Sequence, residues 1–150
     1  MKQSPEMQRL EEMLRSSTLV AGGFMGTDSR PVTEVIESDA AELARLGVSA
    51  REVGARMKVI TDAAIQALGT WARIDERRWA KVDEARGAIA CPWSDGRAFR
   101  KRVTTVRWGD SDKRIHWSDL SIHMIGEHGF FEGRGSSFRI EPVELVRVLF

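Results

Sequence analysis

Residues 97–117 read RAFRKRVTTVRWGDSDKRIHW and carry the clearest strand pattern in the chain. Apolar and β-branched side chains alternate along 97–108, which is the period of a β-strand. The two predicted faces are Phe99, Val103 and Thr105 on one side and Thr104, Val106 and Trp108 on the other. Gly109-Asp110-Ser111-Asp112 has the composition of a turn, after which residues 114–117 pair back. This stretch predicts an antiparallel meander of three or four strands.

Upstream, the apolar residues repeat at helical spacing instead. Ser4 and Pro5 are suited to begin a helix over 4–15. A second helix is predicted over 31–46, with its apolar stripe on Val32, Ile36, Ala40 and Leu43. Gly47 is its natural stop.

A third helix is predicted to begin at Ser49, which forms a capping box with Glu52. Its apolar stripe is Val53, Met57, Ile60, Ala64 and Leu68. The short link at Gly47 predicts that the second and third helices form an antiparallel hairpin.

Downstream of the strands, Ser118 is suited to cap a short helix over 119–128, which Gly129 ends. A glycine-rich loop, a short strand over 138–140 and a terminal helix from Pro142 complete the prediction. The expected fold class is α+β, with N-terminal helices packed on the meander. We expect one domain over 1–150, helical in 1–68, β-rich in 69–117 and helix-loop-helix in 118–150.

Composition places the chain among ordinary globular proteins, with 150 residues, 42% hydrophobic and 30% charged. The net charge of +1 gives no global attraction to nucleic acid or to an anionic membrane. Cys91 is the only cysteine, so an intrachain disulfide is excluded and a reducing compartment is indicated. No stretch has the roughly 20 apolar residues of a membrane span. These features predict a cytoplasmic protein that does not enter a membrane.

The three histidines fall within 13 residues, and the cysteine lies upstream before a proline. Thiolate and imidazole are the usual zinc donors. We therefore consider a zinc site formed by Cys91, His123 and His128, with a carboxylate or water as fourth ligand. A regular helix places i and i+5 about 140° apart, which argues against the histidine pair. Asp119, His123 and Glu127 share one helix face and form a rival ligand row.

Two other roles remain open for the same residues. Cys91 can be a nucleophile with His123 or His128 as base and Glu127 or Asp119 orienting it. Alternatively, Cys91 is a small buried hydrophobe, His128 is a buried histidine bonded to a backbone carbonyl, and His116 points outward from a strand.

The loop from Gly129 to Arg139 is a candidate anion site. Its donors are the backbone and side chains of Gly133, Arg134, Gly135, Ser136 and Arg139. However, the loop does not feed directly into a helix and matches no phosphate-binding motif. The alternative is a tight structural loop whose glycines adopt positive φ.

The basic stretch over 97–114 is a candidate site for single-stranded nucleic acid. It holds seven basic and two acidic residues, a net charge of +5, interleaved with aromatic side chains. Strand alternation divides these charges between two faces, and a basic strand also serves as a solvated edge that resists aggregation. A protein partner or a second copy of the chain fits the same surface.

Residues 117–142, WSDLSIHMIGEHGFFEGRGSSFRIEP, resemble a block of small uncharacterised bacterial cytosolic proteins, D-L-x-x-H-x-x-x-x-H-G-F-F-x-G, that follows a Cys-Pro-Trp-like element. The resemblance covers roughly residues 85–145. It implies a bacterial cytoplasmic protein and brings no activity or cofactor with it.

No catalytic signature is present in the sequence. We predict a non-enzymatic binding or interaction protein whose working surface includes the histidine helix and the 129–139 loop. The alternatives are a small zinc-binding or cysteine-dependent enzyme and a single-stranded nucleic-acid-binding protein.

Overall fold

The computed structural model describes residues 3–110 and 113–150, and within them five helices and four strands. In chain order the elements are α1 (Pro5–Arg15), α2 (Val32–Arg45), α3 (Ala50–Ile65), β1 (Ala72–Arg73), β2 (Arg78–Ala90), β3 (Ala98–Trp108), β4 (Arg114–Ser118), α4 (Asp119–His128) and α5 (Pro142–Leu149). The α+β class is confirmed.

The four strands form one antiparallel sheet in the order β1-β2-β3-β4, which is the predicted meander. On β3, Thr104 and Val106 share one face, as the alternation predicts, and the structure shows that this face is the buried one. The β2–β3 register shifts between Glu84 and Ala88, where Gly87 has a φ of +100°. Such a bulge bends the strand and increases its twist. The predicted turn at 109–112 lies partly outside the described residues.

The main core lies between the sheet and helices α3 and α5. Val82 and Val106 of the sheet pack there with Met57 of α3. Trp117 is fully buried, and its indole Nε1 donates a hydrogen bond of 2.9 Å to the Thr61 hydroxyl. A buried indole N–H without a partner would be costly, so this bond fixes how α3 sits on β4.

A second cluster joins the N-terminal part of the chain to α4. Leu14 of α1 and Val32 of α2 pack with Leu120 and Met124 of α4, and Cys91 belongs to the same cluster. This cluster holds α4 against the end of the β2–β3 strand pair.

The predicted hairpin of α2 and α3 is wrong. Among the described residues α3 packs mainly on α4, and α2 packs on α5. Gly47 and Val48 do end α2 with paired hydrogen bonds to Ala44 and Leu43, the Schellman pattern. Leu43 of α2 joins the cluster that contains α3, but Val32 and Ile36 pack in the other cluster. Local periodicity identifies a buried face but does not specify its partner.

Three local predictions also need correction. The third helix ends at Ile65, and Leu68 is 89% exposed with a φ of +50°. No strand forms over 138–140. On α2 the buried position is Asp39 rather than Ala40, because Asp39 pairs with Arg139 inside the protein.

Candidate metal centre

The loop from β2 to β3 presents a thiol and a carboxylate to α4. The Cys91 amide donates to the Arg97 carbonyl at 2.9 Å, and the Cys91 carbonyl accepts from the Ser94 amide at 3.2 Å. Gly96 supplies the positive φ of +78° that lets so short a loop close. Asp95 Oδ1 accepts from the Arg97 amide at 3.0 Å, which holds the carboxyl in place and leaves Oδ2 for α4.

Helix α4 supplies two imidazoles. Ser118 caps its start, and Gly129, in the left-handed conformation, ends it directly after His128. His123 and His128 are five positions apart, about 140° around a regular helix. Their side chains nevertheless converge, with ring centroids 5.1 Å apart. The separation of about 140° around the helix therefore does not prevent the two rings from converging.

Four donor atoms meet at one point. His123 Nε2 donates to Asp95 Oδ2 at 2.7 Å, and His128 Nε2 donates to the same oxygen at 3.0 Å. The Cys91 sulfur lies 3.7 Å from His128 Nε2. All four ligand atoms lie within 4.8 Å of one another. The structure therefore brings together the predicted trio and adds Asp95 as the carboxylate.

The Cys91–His128 and Asp95–histidine separations are close to those around a tetrahedral ion, and the widest separation, up to 4.8 Å, would have to shorten on binding. With zinc–sulfur bonds of about 2.3 Å and zinc–nitrogen bonds of about 2.0–2.1 Å, a tetrahedron places sulfur about 3.6 Å from nitrogen. The same geometry places nitrogen about 3.3 Å from oxygen. The Cys91–His128 separation already matches, while the Asp95–histidine contacts need to open by a few tenths of an ångström. A cation replacing the two shared protons would produce that opening.

The pKa values of Cys91 and Asp95 are those expected for a cluster that holds no ion. Burial raises the pKa of the Cys91 thiol to about 12, and the nearby Asp95 acts in the same direction. Burial also acts to raise the pKa of Asp95, but the hydrogen bonds from His123 and His128 outweigh it and hold that pKa well below its usual range. Without an ion, the thiol is protonated and Asp95 is ionised at neutral pH.

Aromatic packing orients both imidazoles. The His128 ring stacks on Trp93, with centroids 4.3 Å apart and planes 7° from parallel. The His123 ring packs on Phe99 at 4.8 Å. Both aromatic partners lie in or next to the Cys91–Arg97 loop, so the loop orients the rings as well as supplying two donors.

The rival ligand row does not assemble. Asp119 Oδ2 accepts a hydrogen bond of 2.7 Å from Arg102 Nε, and Glu127 is exposed. Only His123 of that row belongs to the donor cluster. His116 is exposed and packs edge-on against Phe138, away from the other histidines.

The geometry does not favour a cysteine nucleophile. In a catalytic triad the carboxylate binds the imidazole nitrogen that faces away from the nucleophile. Here Asp95 binds Nε2 of His128, the same nitrogen that faces Cys91. A buried thiol with a raised pKa is also poorly activated.

Backbone amides and the Arg139 side chain of the glycine-rich loop bind partners within the protein. The amides of Gly133 and Arg134 donate to the Phe24 carbonyl and the Asp28 carboxylate. The Arg139 guanidinium is buried and binds Asp39 and Glu141. These contacts favour the structural role of this loop over the anion site.

The basic stretch is divided as alternation predicts. Arg102 pairs with Asp119 on the helix side of the sheet. Arg107 and Arg114 lie over the Trp71 ring, with centroid distances of 5.0 and 5.2 Å. Part of the predicted charge is therefore on a surface that also carries an aromatic ring.

The sequence places Asp95 in a turn but does not identify it as a ligand. The signal for it was present, because Asp95-Gly96 is a turn dipeptide four residues after Cys91. A turn of that length returns the carboxylate towards the thiol.

Comparisons with protein-family models, with curated proteins and with solved structures found no match. Among the described residues, no helix combines the length and the apolar character needed to cross a bilayer.

Proposed function

We propose that this chain is a non-enzymatic binding protein in which Cys91, Asp95, His123 and His128 bind one zinc ion that has a structural role. The observation that carries the proposal is the convergence of one sulfur, one oxygen and two nitrogen atoms within 4.8 Å. Two separate chain segments contribute these atoms.

The donor set supports zinc over harder or softer cations. Imidazole and thiolate suit zinc, whereas calcium and magnesium prefer oxygen ligands. Four protein ligands fill a tetrahedral shell, which is typical of structural sites, since catalytic sites keep a position for water or substrate. A filled shell is the reason to propose a structural role and not catalysis.

In this role the ion joins the Cys91–Arg97 loop to α4. Apart from the ion, that junction is held by ring packing and by the shared Asp95 contacts. Because an unfolded chain has no formed site, zinc binding adds directly to the stability of the fold. We further propose a cytoplasmic location, since a thiolate ligand survives best in a reducing compartment. The resemblance to bacterial cytosolic proteins agrees with that location.

Metal analysis tests the proposal. Protein purified without chelators, or incubated with zinc and then dialysed, is expected to hold one equivalent by plasma mass spectrometry. Cobalt in place of zinc is expected to give the intense visible bands of a tetrahedral site and a near-ultraviolet thiolate band. Cys91→Ser should remove the thiolate band, and His128→Ala should lower the zinc content.

His116→Ala is the matched control, because it removes a histidine outside the cluster. It should keep full zinc content. The proposal fails if wild-type protein holds no stoichiometric transition metal after reconstitution, or if His116→Ala loses as much zinc as His128→Ala.

A second candidate partner is single-stranded nucleic acid on the outer face of the sheet. Lys81, Arg107 and Arg114 all lie within 5.4 Å of the Trp71 ring centroid. Cations next to an aromatic ring support backbone and base contacts together. A gel shift with an oligonucleotide should weaken steeply with salt and with Arg107→Glu, and binding that ignores either change would count against this candidate.

A further inference from the structure

A cavity lies apart from the donor cluster. It has a volume of about 430 Å³ and is formed by the 19–24 segment, β2, β3, the start of α4 and the 132–138 loop. Leu19, Phe24, Ile89, Leu120 and Phe138 give it an apolar wall. A concave apolar site with a few polar groups is the usual form of a small-molecule site.

Glu132 is the one buried ionisable residue among the described residues that line this cavity. The residue is only 5% exposed. Burial raises the pKa of this carboxyl to about 7. An apolar side chain would be the expected choice at such a position, because burying a carboxyl is costly.

The backbone at Glu132 is also held in an unfavourable conformation. Its φ is +68°, in the left-handed region that non-glycine residues rarely adopt. Its carbonyl accepts a hydrogen bond from Arg139 at 3.0 Å, and the next amide, of Gly133, donates to Phe24 at 2.9 Å. The surrounding loops therefore hold the backbone of this residue at the cavity wall. Strain of this kind clusters at ligand sites.

The mouth of the cavity is basic. Arg100, Lys101 and Arg102 follow one another along the β3 wall. Arg102 is bound to Asp119 at 2.7 Å, but Arg100 is 3.8 Å from Glu84 and its side chain is 71% exposed. Lys101 is exposed as well. Because successive strand residues face opposite sides of a sheet, Arg100 lies on the side of Glu84 and Arg102, and an anionic group at the mouth would meet Lys101.

We propose that this cavity binds a small organic acid with an apolar body, an anionic group that meets Lys101, and one N–H or O–H group that donates to Glu132. A carboxyl accepts hydrogen bonds in both of its protonation states, so the donor preference does not depend on its ionisation. The site shares no ligand atom with the proposed zinc centre.

Anilinonaphthalene sulfonate is a suitable probe because it combines a sulfonate, an apolar ring system and one N–H group. Zinc-loaded wild-type protein is expected to bind one equivalent with enhanced fluorescence. Amide chemical shifts in labelled protein should change at Glu132 and Ser137. Para-aminobenzoate should displace the probe better than benzoate does, and benzylamine, with the opposite charge, should not displace it.

Three variants test the assigned groups. Lys101→Glu should weaken probe binding at least about fivefold, because like charges then meet at the mouth. Ala21→Trp, on an exposed segment that lines the cavity, should block it sterically. Glu132→Leu should abolish the preference for para-aminobenzoate over benzoate. Lys58→Glu reverses a charge in the separate groove between α3 and α4 and is the matched control.

Several outcomes would overturn the proposal. The first is a lack of saturable probe binding, and the second is a probe affinity that Lys101→Glu and Ala21→Trp both leave unchanged. The third is a loss of probe affinity in Lys58→Glu as large as that in Lys101→Glu. The fourth is a set of chemical-shift changes confined to the α3–α4 groove. Circular dichroism of each variant identifies any that fails to fold, and the remaining variants then decide.

Discussion

A Cβ placed on Gly54 would lie 2.8 Å from the Cα of Gly126, whereas a Cβ placed on Gly126 would lie 3.7 Å from the Cα of Gly54. Helices α3 and α4 therefore touch through their backbones at this crossing, and only one of the two glycines has no room for a methyl group. Because Gly126 lies between His123 and His128, the crossing also sets the position of both imidazoles.

Gly54→Ala is expected to destabilise the protein by about 1–3 kcal/mol, the usual cost of overpacking, and to weaken zinc binding by displacing α4. Gly126→Ala should be neutral or stabilising by up to about 1 kcal/mol, because alanine favours helix and has room here. Urea unfolding and zinc titration of both variants measure these effects. Equal destabilisation by the two substitutions would contradict the asymmetric crossing.

Zinc affinity is expected to rise with pH. The ion binds the Cys91 thiolate, whose pKa of about 12 in the ion-free protein means that binding must release the thiol proton. Releasing one proton gives an increase of about tenfold in affinity per pH unit. Competition with a chromogenic chelator from pH 6 to pH 8 measures the slope. Cys91→Ser should flatten it, and a wild-type affinity independent of pH would argue that the sulfur is not a ligand.

Removing one partner of the Asp39–Arg139 pair is expected to destabilise the protein strongly. Both side chains are almost fully buried, at 5% and 8% exposure. Asp39→Ala leaves a buried guanidinium that retains only Glu141 and the Glu132 carbonyl, so we expect a loss of about 3–5 kcal/mol.

Glu42→Ala, which breaks the exposed pair with Arg45 on the same helix, is the control and should cost less than about 1 kcal/mol. Chemical denaturation compares the two. Similar losses would show that burial does not govern the strength of the Asp39 pair.

Glu132 is expected to make stability fall as pH rises through neutrality. Its folded-state pKa is raised by burial from 4.5 to about 7, and Ser136 and Arg139 oppose this only partly. A raised pKa means that the protonated form stabilises the fold fully below pH 4.5, and that this stabilisation is lost as pH rises through about 7. The total is on the order of 3 kcal/mol.

Glu132→Gln removes the titration while keeping the shape of the side chain. Its free energy of unfolding should vary less between pH 5 and pH 8 than that of the wild type, and it should exceed the wild-type value at pH 8. Denaturation at a series of pH values measures this. A variant as pH-dependent as the wild type would place the titration elsewhere.

The parts of the fold that sequence predicted well are those set by local chemistry. Ser49 and Glu52 form the predicted capping box, Gly129 ends α4, and the alternation along β3 places Thr104 and Val106 on one face as predicted. Leu68 was misplaced because its helix ends three residues earlier, where no cap residue marks the end. The pairing of α2 with α3 was wrong because chain proximity was taken for packing.

The candidate site was predictable only in part, for the same reason. Donor chemistry and spread along the chain predict Cys91, His123 and His128. They do not predict Asp95, because a carboxylate in a turn is normally solvated and only the position of α4 gives it two imidazole partners. The sequence does not predict the cavity at Glu132, because the cavity forms only where the 19–24 and 132–138 segments meet.

The sequence by itself determined the helices, the meander and the types of donor atom available, because hydrophobic period, capping and turn chemistry act over a few neighbouring residues. Only the tertiary structure decided which helices touch and which donors share a point. Those outcomes depend on contacts between distant segments, such as the backbone crossing of Gly54 with Gly126, that no local pattern encodes.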